Sequence, residues 1–141
     1  DSDLPVLNDG DNNVIVLRYT DVLLMLAEAL NAQGYIPDGE AFSLLNQIRI
    51  RAGLGELDSS IITSQEEFTV ALLEERRHEL FMECHRWLDL KRLGNPITTM
   101  NNHFANIPGL NVTIDENDLL LPIPQNQVDT DPEFITQNPG Y

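Results

Sequence analysis

Three glutamates recur at every fourth position of one charged segment, and their spacing bears directly on chemistry. The segment spans 74–94 and reads EERRHELFMECHRWLDLKRLG, with Glu75, Glu79 and Glu83 on one stripe of the predicted helix. Two carboxylates that share a catalytic reaction are held apart across a cleft, whereas these three would lie in a row on one surface. Like charges in a row repel, so the pattern predicts that nearby cations neutralise them.

The candidate cations lie on the same helix and on the helix that precedes it. Arg86 follows the glutamates, and Arg49 and Arg51 stand near the end of the preceding helical pattern. Apolar residues are interleaved with these charges, which places the ion pairs at the margin of a packed core. The predicted structural ion-pair network consists of Arg49, Arg51, Glu75, Glu79, Glu83 and Arg86.

The histidines do not have the spacing of a metal site. His78-Glu79 begins a zinc-protease motif, but Met82 stands where the second histidine belongs. His78 and His85 would lie roughly 10 Å apart along a helix, too far to share one zinc ion. The NDGDNN run at 8–13 lacks the spacing and the final glutamate of an EF-hand, which favours a solvated turn over calcium. We expect no metal and no cofactor.

Motifs of common enzyme classes are missing from the sequence. It contains no glycine-rich phosphate loop, no nucleophile elbow and no cysteine-histidine pair with an orienting acid. The single cysteine, Cys84, stands among apolar residues and is predicted to be a small buried side chain. We therefore expect that the protein is not an enzyme.

Candidate ligand-binding residues are few. Sugar capture commonly uses exposed aromatic faces together with amide or carboxylate groups. The loop residues Asn101, Asn102, His103 and Phe104 have suitable chemistry, and Trp87 is the one tryptophan. The helical position of Trp87 favours a core or inter-helix role over stacking on a ligand. With 6% aromatic residues, the chain is a poor stand-alone glycan platform.

The charge distribution excludes a nucleic-acid partner. The chain has 141 residues, 23 acids against eight lysines and arginines, and a formal net charge of −15. Binding to a polyanion requires clustered Lys and Arg, and the one basic cluster here is matched by acids on its own helix. The length allows one compact domain over 1–141 with a real core, and we interpret the chain as a probable fragment of a longer protein.

The first half of the chain predicts a helical hairpin. After a loose leading segment over 1–16, Thr20 is a candidate N-cap for a helix that is apolar almost all round and should be deeply buried. Pro37-Asp38-Gly39 makes the turn into a second helix over 40–52, which Gly53 ends. This hairpin has about the length and plan of a tetratricopeptide unit, although a plain helical hairpin explains it equally well.

The second half predicts a long third helix and an extended tail. Ser64 opens a capping-box pattern, and the helix continues to Arg92. A short helix over 97–104 is followed by loop. The proline-rich tail over 119–141 is expected to pack over the helices with at most one helical turn, near 125–128. The fold class is all-α: a tetratricopeptide-like hairpin, a long third helix and an irregular C-terminal tail.

Four ordered blocks of the sequence resemble one known family. LRYTDVLLMLAEALN, AFSLLNQIRIRAGL, LLEERRHELFMECHRWLDLKRLG and LLLPIPQNQVDTDPEFITQNPGY resemble the C-terminal region of SusD/RagB outer-membrane nutrient-uptake lipoproteins. The resemblance implies a helical scaffold tethered by lipid to the cell-surface side of a Bacteroidetes-type outer membrane. It also implies a SusC-like TonB-dependent transporter as partner and an oligosaccharide or other nutrient as ligand. The lipid-bearing cysteine and N-terminal repeats of the family have no counterpart here.

Two functions remain open from the sequence, beside a hydrolase, which would need a polar pocket with perturbed carboxylates that the sequence does not indicate. The first is a nutrient-binding component of a SusC/SusD-like uptake complex, in which these residues serve mainly as helical scaffold. The alternative is a helical-repeat module that binds a protein and no nutrient. A gene for a TonB-dependent transporter next to this one would favour the first.

Overall fold

The computed structural model describes residues 15–141, and these form two compact units. Of the described residues, 15–86 belong to the first unit and 87–141 to the second. The single domain expected over 1–141 stays a prediction. The possible calcium turn at 8–13 and most of the leading segment over 1–16 lie outside the described residues.

All regular secondary structure in residues 15–141 is helical, which confirms the all-α class. None of the described helices is both long and apolar enough to cross a bilayer. The helices are α1 (Tyr19–Gln33), α2 (Glu40–Arg51), α3 (Gln65–Glu79), α4 (Arg86–Leu93), α5 (Pro96–Ala105) and α6 (Gln125–Thr130), with a 3-10 turn at Asn117–Leu119.

Helix α1 begins earlier than the sequence predicts. Its N-cap is Arg18, in extended conformation, and the Arg18 carbonyl accepts from Asp21 N–H at 3.0 Å. Thr20 lies inside the helix, so its assignment as N-cap is wrong. The Arg18 side chain is held by two carboxylates of the first unit, and this anchor replaces the hydroxyl cap that the sequence pattern suggested.

Both ends of the second helix follow the expected turn chemistry. Asp38, with φ of 53°, occupies the turn before α2. After α2, Gly53 has φ of 77°, and Leu54 N–H donates to Arg49 C=O while Gly53 N–H donates to Ile50 C=O. This pair of bonds is a Schellman motif, which needs a residue with positive φ and therefore favours glycine.

Helix α3 starts as predicted but stops well before Arg92. Ser64 Oγ accepts from Glu67 N–H at 3.2 Å, which confirms the N-cap. The helix ends at Glu79, and the next residues form a turn with Met82 at φ 66° and Cys84 at φ 62°. The long third helix is therefore wrong, and so is the buried Cys84, which is exposed. The sequence has no Gly or Pro between 80 and 93 that would have indicated this helix end.

The apolar core of the first unit joins all three of its helices. The ring of Phe68 is fully buried and meets the ring of Phe42 edge-to-face, with centroids 4.9 Å apart. Each such side chain contributes ~1.5–3 kcal/mol through burial. The core residues are Leu24, Ala27, Phe42, Leu45, Ile48, Ile62, Phe68, Leu72 and Leu80.

A buried amide adds polar cross-links between α1 and α3. Asn31 is 5% exposed, and its Nδ2 donates to Gln65 O and to Thr69 Oγ1, both at 3.1 Å. In return, Gln65 Nε2 donates to Asn31 O at 2.5 Å. These bonds join the end of α1 to the start of α3.

Only one side of α1 is buried, contrary to the expectation for an almost wholly apolar helix. Asp21, Leu24, Ala27 and Asn31 face the core. On the opposite side the apolar residues remain accessible, because α2 and α3 cover only the inner faces of α1 in the described part of the chain.

The second unit is held mainly by side-chain amides that bind backbone groups. Asn95 caps α5 by accepting from Thr98 N–H at 3.0 Å, with Pro96 at the first helical position. Gln137 accepts from Ile123 N–H at 2.7 Å and donates to Ile123 C=O at 2.8 Å, which closes the tail on itself. The predicted short helices near 97–104 and 125–128 are confirmed as α5 and α6.

The apolar residues of the tail over 119–141 are not fully buried. Leu121 and Phe134 are 81% and 83% exposed, and Leu120 is 53% exposed. Asn138 Nδ2 donates to Leu121 O at 2.6 Å, so the tail is ordered by polar contacts within its own unit. Its packing over the other helices stays a prediction.

We expect Phe68→Ala to lower the free energy of unfolding by ~3–5 kcal/mol, because it leaves a cavity between α1, α2 and α3. Urea denaturation followed by circular dichroism measures this. The matched control is Val70→Ala on the same helix, where Val70 is 62% exposed and the change should stay within about 0.5 kcal/mol. Equal losses for the two variants would contradict the assigned core.

Candidate functional site

Arg18 joins the segment before α1 to the turn after α3. Its Nε donates to both Glu83 carboxylate oxygens at 2.9 and 3.0 Å, and its Nη1 donates to Glu79 Oε1 at 2.6 Å. A fourth bond runs from Arg18 Nη2 to the Glu79 carbonyl at 2.5 Å. One guanidinium thus neutralises two of the three glutamates that the sequence analysis singled out.

The pKa values in this cluster follow from these bonds. The hydrogen bonds from Arg18, followed by the attraction of its charge, hold the pKa of the Glu83 carboxyl below its usual value. The charge of nearby His85 acts in the same direction. In return, the hydrogen bond to Glu83 raises the pKa of the Arg18 guanidinium, although burial opposes this. These interactions favour the ionised form of Glu83.

The arginines of α2 bind Glu75, the third glutamate of the stripe, and also Glu79. Arg49 Nη1 lies 2.9 Å from Glu75 Oε2, and Arg51 Nη2 forms an ion pair with Glu79 Oε1. Glu75 is buried, and Arg49 is also held by a bond from its Nε to Gly55 C=O at 2.9 Å. Four predicted members of the ion-pair network therefore form ion pairs: Arg49, Arg51, Glu75 and Glu79. The structural role of the network stays a prediction.

One fully buried ion pair was missed by the sequence analysis. Arg76 Nη1 lies 2.7 Å from Asp21 Oδ1, and the two side chains are only 3% and 5% exposed. Neither Asp21 nor Arg76 is among the residues that the sequence analysis assigned to the ion-pair network. The signal available in the sequence was Arg76 itself, three positions before Glu79 on the core side of α3. A buried charge needs a partner of opposite sign, so a buried acid was to be expected beside it.

Arg86 is in a different place from the one predicted. In the described part of the first unit, Arg86 forms no hydrogen bond or ion pair with Glu75, Glu79 or Glu83. Its Nη2 lies 3.2 Å from Glu74 Oε1, and its Nη1 donates to Leu73 C=O at 3.1 Å. The end of α3 at Glu79 explains the difference, because Arg86 is no longer on the helix that carries the stripe.

The predicted sugar-binding residues lie in the second unit. The Asn101 amide is already used, since Nδ2 donates to Ile114 C=O at 2.9 Å and Oδ1 accepts from Ile114 N–H at 2.8 Å. Asn102 and His103 are exposed on α5, whereas Phe104 is half-buried. Trp87 is also half-buried, at the start of α4.

A groove of about 500 Å³ lies on the outer side of α2 in the first unit. The loop that borders it is braced: Asn46 donates to Leu57 C=O at 2.7 Å and accepts from Leu57 N–H at 2.9 Å. Its aromatic residue, Phe42, is 3% exposed and offers no stacking face. The lining is Asp38, Phe42, Ser43, Asn46, Gln47, Ile50, Glu56, Leu57 and Asp58, none of which the sequence analysis had proposed as a site residue.

Within residues 15–141, no three His, Cys, Asp or Glu side chains are placed to hold an ion together. The carboxylates of the α3 stripe are instead occupied by guanidinium groups. The geometry supports mechanical coupling of α1, α2 and α3 rather than proton transfer.

Comparison with known proteins identifies the family. The protein-family model described as "SusD family" matches residues 6–141 of this chain. The chain belongs to the SusD family. SusD-like protein P2 from Formosa agariphila is 37% identical over 140 residues, covering 94% of this chain and 27% of that protein. SusD-like protein P25 from the same organism is 32% identical over 141 residues, covering 97% of this chain and 26% of that protein.

A solved structure extends the likeness of this SusD-family chain to its fold. Surface glycan-binding protein A from Bacteroides thetaiotaomicron matches with a TM-score of 0.71 and 27% identity, over 93% of this chain and 25% of that one. The chain spans about a quarter of the length of the relatives that it matches. The family expected from the four sequence blocks is thereby confirmed.

Removal of Arg76 should destabilise the SusD-family chain far more than removal of its neighbour. We expect Arg76→Ala to lower the free energy of unfolding by ~3–5 kcal/mol, because it strands the buried Asp21 carboxylate. Arg77→Ala removes the exposed pair with Glu74 and an exposed contact with His78 Nε2, and should cost under about 1 kcal/mol. Chemical denaturation of both variants tests this, and a similar small effect for both would refute a stabilising buried pair.

The contribution of Glu83 should depend on pH. Its folded-state pKa is depressed, so its stabilisation is present above the usual value of 4.5 and is lost as pH falls through the folded-state pKa. We expect Glu83→Gln to lower the melting temperature at pH 7, and the gap from the natural chain to close as the pH falls below 4.5. Melting curves across pH measure the gap. If the difference in melting temperature stays the same at every pH, the ionised Glu83 carboxylate is not its cause. Glu66→Gln, at the exposed start of α3, is the matched control.

Proposed function

We propose that this chain is part of a non-catalytic glycan-binding protein on the outer surface of a Bacteroidetes-type outer membrane. The observation that carries the proposal is its likeness in fold and sequence to surface glycan-binding protein A. By the same reasoning its partner is a SusC-like TonB-dependent transporter, to which it delivers an oligosaccharide. Attachment to the membrane would be peripheral, through a lipid anchor.

Within that protein, we assign these 141 residues a mainly scaffolding role. The ion pairs and buried amides in the described part of the first unit link its helices to one another. In the second unit, the Asn101 amide is bound to the backbone of Ile114. The groove on α2 has carboxylates and amides but no exposed aromatic face, which sugar rings commonly require.

We expect the 141-residue chain to bind soluble glycans weakly or not at all, and the full-length protein to bind at least one. Binding sites at junctions of packed elements lose their geometry when one side is missing. Calorimetric titration with starch, xylan, mannan and mucin-type oligosaccharides measures both proteins side by side. Copurification of the full-length protein with the neighbouring TonB-dependent transporter tests the partner.

Two results would change the assignment. Micromolar binding by the chain alone, abolished by Trp87→Ala or by His103→Ala, would place the nutrient site within these residues and refute the scaffold role. Absence of glycan binding by the full-length protein, together with capture of a protein partner, would favour the alternative of a helical-repeat interaction module. Asn101→Ala is unsuitable as a probe because it also removes two backbone hydrogen bonds.

A further inference from the structure

The sequence contains a single Asp-Pro peptide bond, between Asp131 and Pro132, directly after α6. Both residues are exposed to solvent. Among residues 15–141, the Asp131 carboxyl group has no hydrogen-bond or ion-pair partner. It is therefore free to react with the backbone beside it, and neither the scaffold nor the proposed glycan binding makes use of it.

The carbonyl group of this peptide bond is held by two hydrogen-bond donors. Ile135 N–H donates to the Asp131 carbonyl oxygen at 2.8 Å, and Phe134 N–H donates to the same oxygen at 3.2 Å. Attack on a carbonyl carbon drives negative charge onto its oxygen, and a pair of backbone N–H groups stabilises that charge. The turn after α6 therefore polarises the carbonyl group that lies beside the Asp131 carboxyl.

Proline is a favourable leaving group at this position. Its nitrogen carries no hydrogen within the chain, so it donates no hydrogen bond that cleavage would have to break. The nitrogen of a tertiary amide also accepts a proton more readily than the nitrogen of a secondary amide. Because the departing Pro132 nitrogen must take up a proton, the reaction becomes faster as the pH falls.

We propose that Asp131 cleaves its own peptide bond to Pro132 under acid conditions. A carboxylate oxygen of Asp131 bonds to the Asp131 carbonyl carbon and closes a five-membered ring, in which nucleophile and carbonyl are held together by the residue itself. The electron pair of the carbon–nitrogen bond leaves on the Pro132 nitrogen, which takes up a proton from solvent. Water then opens the cyclic anhydride and gives Asp131 a free α-carboxyl group. The net reaction consumes one water molecule and needs no other reagent.

The peptide that begins at Pro132 stays attached after cleavage. Gln137 binds both backbone groups of Ile123, at 2.7 and 2.8 Å, and Asn138 Nδ2 donates to Leu121 C=O at 2.6 Å. These bonds join the two sides of the cut within the second unit, so the nicked protein keeps its tail in place. The proposal does not depend on glycan binding, and failure of either leaves the other standing.

The first test measures cleavage in the full-length protein, folded and unfolded. Samples are kept at the lowest pH at which circular dichroism still shows the native helix content, with and without concentrated urea. Mass spectrometry after denaturation detects the fragment that begins at Pro132. We expect this fragment to form in the folded protein at least as fast as in urea, because the two N–H donors are in place only in the fold. Slower cleavage in the folded protein than in urea, or no cleavage in either, would overturn the proposal.

Variants of Asp131 test the nucleophile. We expect Asp131→Asn to slow cleavage by at least ~tenfold, because an amide is a much poorer nucleophile than a carboxylate. Asp131→Glu keeps the charge but requires a six-membered ring, so it should also slow cleavage. The matched control is Asp129→Asn, which removes the same charge from α6 and should leave the rate unchanged. Equal rates for Asp131→Asn and the natural protein would show that ordinary acid hydrolysis breaks the bond, and the proposal would be wrong.

A second readout tests whether the cut peptide remains bound. After gel filtration of the cleaved protein under native conditions, we expect the fragment that begins at Pro132 to coelute with the rest of the chain. Gln137→Ala removes the bonds to Ile123 and should release the fragment, while cleavage itself continues at the natural rate. Loss of the fragment from the natural protein on the same column would refute its retention by the tail.

Discussion

The buried contact between Arg76 and Asp21 fixes how α1 and α3 pack. A guanidinium and a carboxylate with almost no access to water can remain charged only as partners, so the helices cannot slide past one another. The same antiparallel register brings Arg18 to Glu79 at one end and Asn31 to Gln65 at the other. Helix α2 is then joined to this pair by Arg49, through the buried Glu75.

The break after α3 completes this arrangement. If α3 continued, Glu83 would lie a full turn beyond Glu79 along a straight axis, roughly 6 Å further from the start of α1. The turn through Met82 and Cys84, both with positive φ, instead lets one Arg18 side chain bind both glutamates. Positive φ at non-glycine residues is strained and persists where surrounding contacts hold it. The Arg18 bonds are such contacts.

The sequence predicted what depends on local signals and missed what depends on tertiary contacts. Ser64, Gly53 and the turn at Pro37-Asp38-Gly39 were correctly read, because each acts on its own neighbouring backbone. The early end of α3 was missed because strained, left-handed residues there are stabilised by Arg18, more than sixty positions away. The spacing of residues along the chain likewise indicated the three glutamates of the stripe. It could not indicate the buried ion pair between Asp21 and Arg76, which are far apart in the sequence.

The distribution of cations limits what this part of the protein can recognise. The chain has eight lysines and arginines, and each has an intramolecular acceptor: seven arginines form ion pairs, and Lys91 donates to Leu119 C=O. An anionic ligand would have to break one of these pairs and also overcome a net charge of −15. These residues are therefore poorly suited to recognise an anionic ligand.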